Sequence, residues 1–448
     1  MKKTVLTLAI SAIVFGATTQ VNAAGFQLAE SSATGLGRAF AGEAAIADNA
    51  STQARNPAML AYLEGRQLSA GGIYVMPDID VLGDVSITSP LLGSDAVVID
   101  ADEIDVADNA LVPNFYYSNQ LNDNWTWGLA VNSNYGLATE TDTTSASAIF
   151  GSHTAITTVE FNPNIAYRVD DSVTVGAGLR LVYGEGEVSA TTPGWIDAIK
   201  ANVPATISAA LPAAGTELKS MEGDDIGYGW KAGASWQINA NNRIGLAYHS
   251  GVDLDLDGSV SGVVYNGGQD IEIEGYLPIE LPAFAELASY HQLTENWAVH
   301  ASVNWTEWST FERLVAYFPG EVKPTGDLES DVVKEENFKD NWRYSIGTTY
   351  SIDDQLTLRA GIALDNTAVD DEHRTTTIPD SDRLWFSMGA GYQMSKNLSV
   401  DLGVTYIRMH GDAPIDETQD LLGLASIGYS GEATGHVWLT GLQLSYKM

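Results

Sequence analysis

The sequence predicts an all-β fold: a transmembrane antiparallel β-barrel of about fourteen strands with a small N-terminal helical hatch in its lumen. Three observations predict it. From about residue 66 onward, apolar and polar residues alternate with the period of a strand. The connections between those strands are alternately short and long. A segment of alanine and other small residues, broken by glycine and one proline, precedes the first strand.

Composition narrows the classes. The chain has 448 residues and no cysteine, so disulfides and thiolate chemistry are excluded. With 22 Lys and Arg against 58 Asp and Glu, the formal charge is -36, a surface that repels nucleic acid. Disorder is excluded because 45% of the residues are hydrophobic. The N-terminus carries Lys2 and Lys3, a short apolar run from Val5 to Phe15, and Val21-Asn22-Ala23. This pattern is a cleaved signal peptide over 1–23, with the mature chain starting at Ala24. No later segment reaches the ~20 apolar residues of a helical span.

The strands follow in order, at about 66–77, 111–119, 124–135, 154–169, 172–189, 225–238, 242–254, 271–292, 297–318, 339–352, 356–369, 382–394, 398–410 and 432–448. In "LSVDLGVTY", Leu398, Val400, Leu402, Val404 and Tyr406 share one face, against Ser399, Asp401, Gly403 and Thr405. The second face is small, charged and glycine-rich, as a wet or plugged lumen requires. Short polar turns stand at 122–124, 170–172, 239–242, 294–296, 353–355 and 395–397. Long loops lie near 78–110, 136–153, 190–224, 255–270, 319–338, 370–381 and 411–431. Short turns on one rim and long loops on the other mark outer-membrane barrels. Trp125, Trp127, Trp297, Trp342 and Trp438 near strand ends fit aromatic girdles. The chain ends on Met448, where such barrels commonly end on an aromatic residue.

Residues 24–65 are too few to bury a core of their own, and fourteen strands enclose space to be filled. They are therefore placed in the lumen, with 66–448 as the barrel. Pro57 fixes φ and keeps Asn56 out of the helical region, giving a stiff corner.

Enzyme constellations are missing from the sequence. No two of the seven histidines pair at zinc spacing, and no His-Glu-x-x-His or Gly-x-Ser-x-Gly string occurs. "DLDLDG" (253–258) and "DADEID" (100–105) lack the spacing of a calcium loop and read as solvated faces. The sequence therefore calls for no metal and no cofactor.

Four strings carry a resemblance: "AGFQLAE" with "GLGRAFAGEAAIADNASTQARNPA", then "NSNYGLATE" (132–140), "NFKDNWRYSIGTTY" (337–350) and "IPDSDRLWFSMGAGY" (378–392). Together they resemble the outer-membrane long-chain fatty-acid transporter family, the FadL family, along the whole chain. The resemblance implies passive uptake of long-chain fatty acids or similar hydrophobic molecules across the outer membrane of a Gram-negative bacterium. It implies a monomer in contact with outer-membrane lipid. Asn56, Pro57 and Ala58, with Ala24, Gly25 and Phe26 of the mature start, would belong to the hatch and its gate. A groove in loops 190–224 and 255–270 would meet the ligand first. Ser133, Asn134, Tyr135 and Gly136 would form an inward kink releasing ligand sideways into the membrane. Sideways release spares an alkyl chain the ~0.8 kcal/mol per CH₂ of re-entering water.

The family's basic head-group residues do not carry over cleanly. After "LVY" (181–183) this chain has "GEGEVSA", without Arg or Lys, and Arg313 lies close to another such position but not on it. Arg313 is the candidate for binding the carboxylate. The alternatives are an importer of aromatic hydrocarbons, a polar-solute porin without a hatch, and a phage receptor or adhesin with no transport role.

Overall fold

The computed structural model describes residues 25–89, 96–267, 271–319, 322–323, 326–327, 329–421 and 425–448. The signal peptide read at 1–23, and Ala24, lie outside the described residues.

Fourteen antiparallel strands close into a ring. In chain order they are β1 Arg66–Thr88, β2 Ala110–Gln120, β3 Trp125–Asn132 continued by Gly136–Glu140, β4 His153–Arg168, β5 Val173–Thr191, β6 Glu217–Asn239 and β7 Asn242–His249 continued by Val252–Ser261. β8 is Ile273–Leu281 with Phe284–Thr294, β9 Trp297–Thr306 with Arg313–Tyr317, and β10 Ser330–Glu335 with Asn341–Ser351. β11 Leu356–Asp365, β12 Asp382–Gln393, β13 Leu398–His410 and β14 Ala425–Lys447 complete it. Each strand pairs with its sequence neighbour, and β1 pairs with β14 from Gln67↔Lys447 to Thr88↔Ser426. One chain therefore closes the ring. Closure leaves no strand edge, the condition for strands to sit in lipid.

The alternation points as expected for a barrel turned inside out. Leu402, Phe386 and Met388 are 46%, 50% and 70% exposed, whereas Asp401, Gly403 and Thr405 opposite are buried. The five tryptophans named above are all exposed. The short turns share one device. Asn122, Asp170 and Asp353 each accept, through Oδ1, the backbone N–H groups two and three residues on. This Asx geometry reverses the chain within a few residues.

The strands on the long-loop side run further than their alternation suggested. β1 reaches Thr88 rather than 77, β6 begins at Glu217 rather than 225, and β14 at Ala425 rather than 432. The extensions of β1 and β14 pair with each other, as Val85↔Tyr429 shows, and that of β6 pairs with β5, as Met221↔Val188 shows, so the ladder continues where the apolar outer face ends. Five strands are instead interrupted, at 133–135, 250–251, 282–283, 307–312 and 336–340.

Residues 25–63 fill the lumen as short turns: a helix at Ala33–Leu36 and 3-10 turns at Glu43–Ala45, Ala50–Ala54 and Pro57–Tyr62. Ser32, Asn49 and Asn56 cap three of them by accepting from the backbone N–H of Gly35, Ser51 and Ala58. Gln53, Asn56, Ala58 and Leu60 are wholly buried. The wall accommodates this segment through inward glycines. A Cβ on Gly245 would stand 1.8 Å from the Ala44 carbonyl oxygen, one on Gly361 2.2 Å from that of Arg38, and one on Gly176 2.4 Å from the Ala58 nitrogen. Wall side chains then hold the hatch. Lys231 donates to the Gln53 carbonyl at 2.9 Å, Arg343 to that of Ala39 at 3.0 Å, and the Gly42 N–H donates to Ser302 at 2.7 Å.

Gly245→Val should therefore displace the hatch while the barrel assembles, because overpacking there costs at least ~1–3 kcal/mol. Limited proteolysis of the folded, heat-modifiable barrel should cut within 38–60. Full protection of that segment would show that the glycines are not what makes room.

Candidate functional site

The site is the junction of the N-terminal segment with the interruption in β3. On one side β2 pairs with β3 from Gln120↔Thr126 to Phe115↔Val131 and no further. Residues 110–114 of β2 pair with β1 alone. On the other side β4 follows Trp125–Asn132, then picks up the continuation from Gly136↔Thr157 after a shift of register. Beyond the interruption, the Glu140 N–H donates to the Val106 carbonyl at 2.9 Å. The wall thus has a window between the Phe115–Val131 pair and the Glu140–Val106 bond.

The backbone groups freed at the window are satisfied from inside. Leu28 N donates to Asn134 O and Gly136 N to Phe26 O, both at 2.8 Å, and these two bonds set Gln27 opposite Tyr135 as an antiparallel bridge. The kink is also anchored by side chains. Asn134 donates to Glu160 at 2.7 Å, and Glu160 is held by Arg180 at 2.8 Å, both fully buried. Ser133 donates to the Thr158 carbonyl and Tyr135 to that of Pro282. Serine and asparagine favour such local bonds over a regular ladder, which is why this stretch leaves the sheet. At the rim, the buried amide of Asn114 makes no hydrogen bond within the protein.

Beside the junction lies an apolar pocket, partly open to solvent, with about 70 Å³ of internal space. Phe26 and Phe311 close one end, and Leu137, Ile156, Leu256 and Leu314 stand along its sides. Phe26 packs edge-on against Trp308 at 4.6 Å and Phe311 at 5.3 Å, and Phe338 backs them both. Gly25 has φ +60°, and a Cβ there would meet the Trp308 ring at 2.7 Å, so glycine is required on both counts. Its N–H donates to Asp380 at 3.0 Å. The interruption in β9 at 307–312, which sequence alternation did not reveal, is what swings Trp308 and Phe311 inward.

The structure brings together Gly25, Phe26, Ser133, Asn134, Tyr135 and Gly136. Asn56, Pro57 and Ala58 lie elsewhere, between the inner faces of β5 and β6 and the rest of the hatch. Asn56 donates to the Ala44 carbonyl at 2.6 Å and that of Ala234 at 3.2 Å while capping the turn it starts. Arg313 corrects an expectation. It is exposed, directly opposite Glu335, while its neighbour Leu314 faces the cavity; strand alternation turns its charge away from the lumen. In the loop 190–224, helices Ile196–Asn202 and Ala205–Ser208 form, and Trp195 and Ile196 are buried.

Glu336 lies in the connection that carries Phe338. Burial pushes its carboxyl up to about 7; Lys334 and His373 pull it down and Glu417 pushes it up. Neither oxygen has a hydrogen-bond partner within the protein.

The chain matches the family model described as "Outer membrane protein transport protein (OMPP1/FadL/TodX)" over residues 14–448. It is 34% identical to a long-chain fatty acid transport protein of Escherichia coli O6:H1, over 99% of this chain and 98% of that one. It is 37% identical to outer membrane protein P1 of Haemophilus influenzae, over 95% of each. Among solved structures, a Pseudomonas aeruginosa FadL homologue superposes with a TM-score of 0.80 at 24% identity, over 95% of this chain and all of that one. The Pseudomonas putida toluene transporter TodX gives 0.63 at 18%, over 95% and 100%.

Two outcomes test the site. Asn56→Ala should speed amide exchange in 57–62 by the equivalent of ~1 kcal/mol for the lost cap, and more for the orphaned Ala44 carbonyl. Asn56→Asp, which keeps the cap and loses the donor, should fall between; no difference between Ala and wild type would reject the bonding described. Glu336 has a folded value above its unfolded one, so it favours the folded connection below about pH 4.5, less so as pH rises toward 7, and no further change follows above that. Exchange in 330–340, corrected for intrinsic rate, should show this loss, up to ~3 kcal/mol, and Glu336→Gln should abolish it. A pH profile unaltered by that change would rule the carboxyl out.

Proposed function

The chain belongs to the OMPP1/FadL/TodX family of outer-membrane transport proteins, and from that premise we propose that it imports long hydrophobic molecules, fatty acids foremost, and releases them sideways through the window in β3. It resides in the outer membrane and is a transport protein, not an enzyme. The observation that carries the reading is one continuous arrangement: an apolar cavity, ended by Phe26, whose own backbone bonds to the kink at the window. Phe26 and Leu137 line the cavity on either side of that contact, so the cavity abuts the window.

The physical sequence follows from these parts. An alkyl chain gains ~0.8 kcal/mol for each CH₂ that leaves water for the cavity. A filled lumen gives it no aqueous passage downward. The way on is past the Phe26–Leu28 segment, whose backbone is held at the kink by two hydrogen bonds. Shifting that segment breaks few bonds, whereas opening a continuous ladder such as that between β1 and β14 breaks many. From the window the chain enters lipid without re-entering water. No energy source is needed, because transfer from cavity to bilayer is downhill or neutral for an apolar chain. Asn56-Pro57-Ala58 keeps the rest of the hatch fixed while the first residues move. The helical loop around Trp195 is the proposed first contact for cargo outside the membrane.

The test is to restore the strand. Replacing Ser133-Asn134-Tyr135 with Val-Thr-Val, which favours regular pairing, should lower oleate uptake by intact cells at least about tenfold. Heat-modifiable migration should be unchanged. Wild-type uptake with demonstrated pairing through 131–137 would reject sideways release.

A further inference from the structure

We propose that the cavity above Phe26 accepts only uncharged cargo, a neutral long-chain hydrophobe or a fatty acid carrying its proton, and excludes the ionised carboxylate. The inference rests on the transport reading and narrows its substrate class.

The lining carries the first argument. Among the described residues, those turned inward are Leu, Ile, Val, Met, Phe, Ala and Gly with Thr154, and no Lys, Arg or His lines the space. Two glutamates contribute to the lining strands, Glu187 of β5 and Glu222 of β6. Both are exposed, and strand alternation places their side chains on the other face of the wall from Gly186, Val188, Met221 and Gly223. An ionised carboxylate in such surroundings has neither hydrogen-bond donors nor an opposite charge, so burial favours its neutral form.

The basic groups beside the lining are already engaged, which is the second argument: His153, next to Thr154, lies 3.3 Å from Glu187. Lys219, two residues before Met221, lies 3.4 Å from Asp331, itself bonded to Tyr265. Lys334, opposite Leu314, lies 3.4 Å from Glu417 and donates to Thr377. Arg313 faces outward, opposite Glu335. An incoming carboxylate would have to displace a resident one in each case.

The field behind the wall is the third. The outer faces of β5 to β8 at this level are acidic, with like charges directly opposite one another: Glu187↔Glu222, Asp224↔Asp257 and Asp253↔Glu280. The wall between is thin, because Gly186, Gly223, Gly258 and Gly275 line the cavity there. A negative group inside is repelled from that side, where His153 and Lys219 each already face a carboxylate, Glu187 and Asp331.

The test uses the full-length purified protein in non-ionic detergent, with N-octadecyl dansylamide as the neutral bound probe. Oleyl alcohol, methyl oleate and oleate compete for it at pH 9 and at pH 5. Alcohol and ester should displace the probe at concentrations at least tenfold lower than oleate at pH 9, with the gap closing at pH 5. Met221→Lys, which puts a cation into the cavity, should shift the oleate-to-alcohol ratio at pH 9 at least tenfold toward oleate. Leu314→Lys serves if that variant lacks heat-modifiable migration. Oleate competing as well as the alcohol at pH 9 in the wild type overturns the inference and leaves the transport reading standing. So does a ratio unmoved by the folded lysine variant. Failure of all three ligands to displace the probe at either pH overturns both.

Discussion

Everything in this molecule follows from a backbone that has no water to bond to. Across the lipid, each N–H and C=O needs a partner on a neighbouring strand, and only a closed ring provides one for every strand. The long ladder between β1 and β14 is that closure. A ring of fourteen strands is too wide for side chains to fill, so closure in turn demands an occupant for the lumen. The glycines of the inner face and the small residues of the hatch are two sides of that demand, since backbone meets backbone at Gly245 and Ala44, and at Gly361 and Arg38.

The hatch is polar where the outside of the barrel is apolar, and it is fastened accordingly. Arg38 pairs with Glu43 at 2.7 Å and Asp48 at 2.6 Å within the hatch, and wall residues such as Lys231 and Arg343 donate to its carbonyls. Buried charges of this kind are tolerable only when paired and bonded, and their removal one at a time is costly. A plug fastened all round is poorly suited to leaving the barrel as a body. Its first residues are fastened differently: Phe26 and Leu28 bond to the kink in β3, and Phe26 leans on aromatic rings.

At the kink the ladder between β2 and β3 gives way, and the bonds of the kinked backbone are met from the lumen by Phe26 and Leu28. The rule that closes the ring is therefore broken and repaired by the same segment that ends the apolar cavity. A shift of that segment alters the cavity and the window together, because the two share Phe26. This is why the transport reading does not need a second moving part.

The sequence by itself determined the barrel, the strand count, the rim on which the short turns lie, and the presence of a plug. These rest on local physics: side-chain alternation, Asx turns such as Asn122 and Asp170, and a segment too small to fold alone. It also marked Pro57 as a corner, and the family resemblance placed an inward kink at Ser133–Gly136. Only the tertiary structure decided what those residues touch. That Gly136 bonds to Phe26, that Gly245 makes room for Ala44, and that Trp308 and Phe311 swing under the cavity are contacts between residues far apart in the chain, which no local pattern encodes. Arg313 is the clearest case. Its charge was visible in the sequence, but the interruption at 307–312 resets the alternation of β9, and that register alone determines whether position 313 or 314 faces the lumen.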